Sequence, residues 1–74
     1  MNAAAYRANI AHLGLSQVAA ARLLGIDART SRRYASGERP IPPPVARLLL
    51  LASLLDADGW RLDGIERLLT LVDG

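Results

Sequence analysis

The sequence predicts an all-α domain of five helices, and three observations lead there. Apolar residues return every three or four positions at Tyr6, Ile10 and Leu13, from Val45 to Leu55, and from Leu62 to Val72. That is the period of helices with one buried face. Capping residues and glycines alternate at short intervals, with Gly14 before Ser16, Gly25 before Asp27, and Gly37 further on. Such pairs mark where one helix stops and the next starts. All four prolines lie between positions 40 and 44, so the remainder is free of this helix breaker.

The first helix is expected from about Ala3 to Leu13, with Gly14 ending it. Ser16 is a good N-cap for a second helix reaching about Leu24, with Val18, Ala21 and Leu24 along one side. Ala19, Ala20 and Ala21 keep this helix thin, so another can approach closely. Gly25 stops it, and Asp27 caps a third helix from about Ala28 to Ser36. Only Gly25-Ile26-Asp27 separate the second and third helices. Two short helices joined by a three-residue turn containing glycine are the helix-turn-helix signature, here over about residues 16–36. The prolines forbid helix until a fourth begins near Pro44 and runs to about Leu55, with Pro43 or Pro44 suited to its first turn. Asp56 to Gly59 reads as a turn, and a fifth helix covers about Asp63 to Val72. Its stripe is Leu62, Ile65, Leu68, Leu69 and Val72, with Trp60 expected as a core plug beside it.

The chain has 74 residues, of which 51% are hydrophobic. That is one domain, too apolar for a disordered chain. A domain of this size buries only roughly 60% of its unfolded surface, so help from a second copy or a partner is plausible. There is no cysteine, which excludes disulfides and thiolate metal sites and fits a reducing cytoplasm. Neither a signal peptide nor a membrane span is visible: the apolar run from Leu48 to Leu55 is far short of the roughly 20 residues a bilayer needs.

The formal net charge is only +2, yet the pI is about 9.9, and all nine basic residues are arginine. A GC-rich coding bias accounts for the missing lysine, but not for where the arginines sit. Arg29, Arg32 and Arg33 fall within five residues of the third helix, with no carboxylate between Asp27 and Glu38. With Ser36 they stand at i, i+3, i+4 and i+7 and share one face. Ser31, Tyr34 and Ala35 take the opposite side, with Thr30 at its edge. Arg29 and Arg33 repel one another at i, i+4, which a face kept only for solubility would offset with mixed signs. A solvated basic face is the plain alternative. The helix-turn-helix context favours a polyanion: such a helix fits the roughly 12 Å major groove, where arginine can bond O6 and N7 of guanine with both arms. Ser16 and Gln17 open the second helix, where backbone amides and the Gln17 side chain are available to a phosphate.

The stretch LGLSQVAAARLLGIDARTSRRYASGERPIP resembles the helix-turn-helix of the phage-repressor and Cro class, the XRE family. The matching residues are Ser16-Gln17, Ala21, Leu24-Gly25-Ile26, Asp27, Thr30, Tyr34 and Ser36-Gly37-Glu38-Arg39, within residues 13–42. The resemblance implies a five-helix phage-repressor-like bundle that binds double-stranded DNA and regulates transcription, most simply as a repressor. By position, it implies that Gln17 contacts the DNA backbone or a flanking base. Ala28, Arg29 and Arg33 would face base edges, Arg32 a base or phosphate, and Arg39 the backbone. The chain departs from the pattern at three places. Ser31 stands where a branched apolar residue is usual, Ala35 where an acid is common, and Ala20 where a larger aliphatic is usual. The inner face of the third helix is therefore expected to be under-filled, with Tyr34, Leu24 and Leu48 compensating. Replacing Ser31 by valine or isoleucine is expected to stabilise the fold.

The fourth helix has more leucine than one face needs. Val45, Leu48, Leu49, Ala52 and Leu55 make the inward stripe, while Leu50 and Leu54 fall outside it beside Arg47. Leu71 likewise lies outside the stripe of helix five. Helix five or a second copy can cover these residues; a homodimer through Leu50, Leu54 and Leu71 is the expectation, since two-fold symmetry matches palindromic sites. The competing function is an antitoxin-like or adaptor module whose leucine surface holds a partner protein such as a toxin. No catalytic set is apparent: His12 is the sole histidine, and no phosphate loop or metal spacing occurs. No enzyme activity, cofactor or metal is expected. RNA binding is disfavoured by the scarcity of stacking aromatics, 4% of residues with no Phe. The expected location is cytoplasmic, on the nucleoid when bound to DNA.

Overall fold

The computed structural model describes residues 1–73, with side chains for 1–72. It is all-helical over those residues: α1 (Ala3–His12), α2 (Gln17–Leu24), α3 (Ala28–Ser36), α4 (Pro43–Ala57) and α5 (Leu62–Asp73). Helix α3 packs on α2 and α1, α4 packs on α1 and α2, and α5 packs on α4. No helix among the described residues is long and apolar enough to cross a membrane.

Local chemistry fixes each boundary. Asn2, Ser16 and Asp27 cap α1, α2 and α3, their side chains accepting from the N–H groups of Ala5, Ala19 and Thr30 at 2.8, 3.0 and 2.6 Å. Helix α2 ends in a Schellman closure. The Ile26 N–H donates to the Ala21 carbonyl at 3.0 Å and the Gly25 N–H to that of Arg22 at 3.4 Å. This needs the left-handed backbone of Gly25, at φ 70°, which a side chain would strain. Gly37, at φ 84°, ends α3 in the same region of φ/ψ space. Pro43 opens α4, and the helix runs through Asp56 and Ala57, so the expected four-residue turn shrinks to Asp58-Gly59.

The core gathers Tyr6, Ile10 and Leu13 from α1 and its end, Ala20, Leu23 and Leu24 from α2, and Tyr34 and Ala35 from α3. Leu49, Ala52 and Ile65 complete it from α4 and α5. Tyr6 and Tyr34 meet edge to face, their ring centroids 5.8 Å apart.

Four expectations are corrected. Val18 is exposed: Ala20 and Leu24 centre the buried face of α2, which turns Val18 to the far side. Trp60 is 47% exposed and is no core plug; its N–H closes the end of α4 on the Leu55 carbonyl at 3.0 Å, and Ile65 fills the interior instead. Leu68 and Val72 are exposed, because α5 touches the rest along one line through Leu62, Ile65 and Leu69. The inner face of α3 is also not loose. Ser31 is fully buried and doubly hydrogen-bonded, to Tyr6 and Gln17, and no buried side-chain polar atom among the described residues lacks a partner. An apolar pocket of about 130 Å³ lies instead between α4 and α5, lined by Leu48, Leu51, Leu55 and Leu68 among others.

Candidate nucleic-acid interface

The three-residue turn after α2 sets α3 across the domain with one face sealed. Ser31, Tyr34 and Ala35 are buried, and the opposite face carries Arg29, Arg32, Arg33 and Ser36. Those four side chains and Glu38 line one shallow concavity. Arg29 and Arg32 are exposed and Arg33 is half-buried. Arg33 is the one of the three with an ion-pair partner among the described residues, its Nε lying 3.7 Å from Glu38 Oε2. The Glu38 side chain is 69% exposed and that of Arg33 39%, so water reaches the pair and it is weak and releasable.

Asp27 opens the same helix. Its carboxyl is held below the ordinary carboxylate range, first by the Thr30 N–H, then by the Thr30 hydroxyl, with smaller help from Arg29 and Arg33. Asp27 therefore stays ionised at neutral pH, capping the helix and compensating part of the like-charge repulsion behind it.

The far end of α3 is held from α1. The Arg7 guanidinium donates to the Ala35 carbonyl, placing a cation on the carbonyl end of the helix. Sequence reading missed Arg7. The available signal was its place beside Tyr6, one residue off the buried stripe of α1, where a long side chain can reach a neighbouring helix.

The remaining expected site residues divide. Gln17 is half-buried and reaches α3, its Oε1 accepting from the Ser31 hydroxyl at 3.0 Å. Ser16 is exposed with its hydroxyl oxygen used as the cap of α2, which leaves the first N–H groups of that helix without intrahelical acceptors. Ala28 is half-buried at the first position of α3. Arg39 is exposed, and its N–H donates to the Arg33 carbonyl at 3.4 Å, which keeps the loop beside the end of α3. Its side chain does not line the concavity.

Charge is divided along the chain. Residues 1–55 hold seven arginines and two carboxylates, whereas residues 56–74 hold two arginines and five carboxylates. The small net charge thus hides a basic portion that includes α3 and an acidic one that includes α5. Among the described residues no cluster of His, Cys, Asp and Glu side chains is suited to hold a metal.

No family model, no curated protein and no solved structure matches this chain.

Proposed function

We propose that the protein is a sequence-reading regulator that binds double-stranded DNA through α3, with α2 and α3 as a helix-turn-helix of the phage-repressor type. One observation carries this reading: a nine-residue helix exposes three arginines in a single concavity while its other face is sealed into the core. An outward basic helix held at both ends suits the major groove, where arginine distinguishes guanine by a bidentate contact. The held ends matter because base reading needs side chains fixed to a fraction of an ångström.

Within this reading, Arg29 and Arg33 read base edges, with Ala28 at the groove floor, and Arg32 reaches a base or a phosphate. Gln17, the first N–H groups of α2 after Ser16, and Arg39 contact the backbone. The charge division favours encounter with phosphates through the basic portion that includes α3 rather than through the acidic one that includes α5. Repression follows most simply from occupancy of a site, with the protein on the nucleoid. Selection from random duplexes tests the proposal: a common motif with guanines spaced for two arginines supports it, and an unenriched pool opposes it.

One observation favours partner binding besides DNA. Leu50, Leu51 and Leu54 of α4 and Leu68, Leu71 and Val72 of α5 are all exposed. A homodimer through Leu50, Leu54 and Leu71 puts this apolar surface to use and doubles the reading helix. A toxin-like or other protein partner is the alternative occupant, and an adaptor of that kind has no need of DNA.

A further inference from the structure

Three polar side chains form a line from the core to the surface of the candidate interface. The Tyr6 and Ser31 hydroxyls are 2.6 Å apart, and the Ser31 hydroxyl donates to Gln17 Oε1 at 3.0 Å. Tyr6 and Ser31 are fully buried, while Gln17 is half-buried at the start of α2. Ser31 itself sits on α3 between Thr30 and Arg32.

The direction of this line follows from the inventory of donors. The Tyr6 phenol has one hydrogen-bond neighbour among the described residues, the Ser31 hydroxyl. Burial pushes the phenol above its ordinary pKa, against the opposing effect of the Ser31 bond, so it keeps its proton. That proton goes to the Ser31 oxygen. Ser31 must then give its own proton away, and Gln17 Oε1 takes it. The amide oxygen is consumed inward, and the Gln17 NH₂, a pure donor, is the group left to face outward. In the opposite flip, Ser31 Oγ would receive two donors and the Ser31 proton would have no acceptor on this line.

We infer that Tyr6 and Ser31 are positioning residues that fix the Gln17 amide with its NH₂ outward, ready to donate to a backbone phosphate of bound duplex DNA. This rests on the DNA reading above. It gives a purpose to the buried hydroxyl on the inner face of α3, which core packing alone does not require. It also ties the phosphate contact to the seating of α3, because one serine holds both.

The test is a coupling measurement on a duplex selected by the full-length protein. Gln17→Ala is expected to weaken binding about tenfold, the range of a hydrogen bond to a charged group. Ser31→Ala should weaken it several-fold in the wild-type background and by clearly less in the Gln17→Ala background, where only its part in seating α3 remains. Tyr6→Phe keeps the ring in the core and removes only the donor. It should show the same pattern with a smaller effect, and it serves if Ser31→Ala fails to fold. A scan of the duplex with single methylphosphonates adds a reading that loss of fold does not move. Wild type should lose affinity at one particular phosphate, and Gln17→Ala should be indifferent there. Equal losses for the Ser31 or Tyr6 variants in both backgrounds, or a Gln17→Ala protein that binds normally, would overturn the inference. If Arg29→Ala weakens binding while Gln17→Ala does not, the inference fails and the DNA reading stands. If the wild type binds no duplex, both fail.

Discussion

The Tyr6 and Ser31 hydroxyls, 25 residues apart in sequence, share a buried hydrogen bond of 2.6 Å that joins α1 to α3. This bond reverses the effect expected of an apolar residue at position 31. Ser31→Val adds methyl groups at a fully buried position and leaves the Tyr6 phenol buried without a partner. An orphaned buried hydroxyl costs about 1–3 kcal/mol, and overpacking adds to it. The variant should melt below wild type in a thermal scan, and pairing it with Tyr6→Phe should recover part of the loss. A melting point at or above wild type for Ser31→Val alone would show that the hydroxyl pair is dispensable.

Helix boundaries came within two residues because caps and glycines act locally: Ser16, Gly25, Asp27 and Gly37 do in three dimensions what their short-range chemistry implies. The arginine face of α3 was legible for the same reason, since positions i, i+3 and i+4 share a face in any helix. What was not legible depends on which helix meets which. Ser31 looks like a packing defect until Tyr6 arrives from α1, and Arg7 looks like solvent decoration until the Ala35 carbonyl comes within reach. Trp60 and Val18 are apolar residues that the tertiary arrangement leaves outside, because Ile65 of α5 takes the interior place expected of Trp60, and Ala20 and Leu24 centre the buried face of α2 opposite Val18.

Asp27 makes stability depend on pH. Its folded pKa lies below the ordinary value, so its contribution is present above the ordinary carboxylate range and is lost as pH falls through the folded value. Asp27→Asn keeps the N-cap and removes the titration. The melting-temperature difference between wild type and Asp27→Asn should therefore favour wild type at neutral pH and shrink on acidification into the carboxylate range. A difference independent of pH would show that the charge plays no part.

Glu38 restrains Arg33 and adds a negative charge beside the proposed interface. Glu38→Gln frees the guanidinium and should tighten duplex binding by up to about fivefold, the span of an exposed ion pair. Fluorescence anisotropy at fixed salt measures this. Weaker binding by Glu38→Gln would mean that the carboxylate orients Arg33 rather than restraining it.

Arg29→Ala and Arg33→Ala should each cost about 1–3 kcal/mol on a selected duplex and relax base preference at one position, if each reads a guanine. Equal losses on selected and random duplexes would reassign them to phosphates.

Leu50 and Leu54 are 49% and 67% exposed, so Leu50→Glu with Leu54→Glu should leave the monomer folded. Light scattering should then report a dimer for wild type and a monomer for the double variant, with operator affinity much reduced. Two monomers of equal affinity would remove these leucines from any self-association.

The most direct test of the central claim is a salt titration of duplex binding, comparing wild type with the Arg29→Ala, Arg32→Ala, Arg33→Ala triple variant. Each substituted position lies on the outer face of α3, so the triple variant should fold with the thermal stability of wild type. The account predicts that wild-type affinity falls linearly in log K against log salt, as counterions are released from phosphates. It also predicts that the triple variant binds far more weakly, with a shallower slope. Wild-type protein that shows no salt-dependent binding, or a folded triple variant that binds with the same affinity and slope, would contradict it.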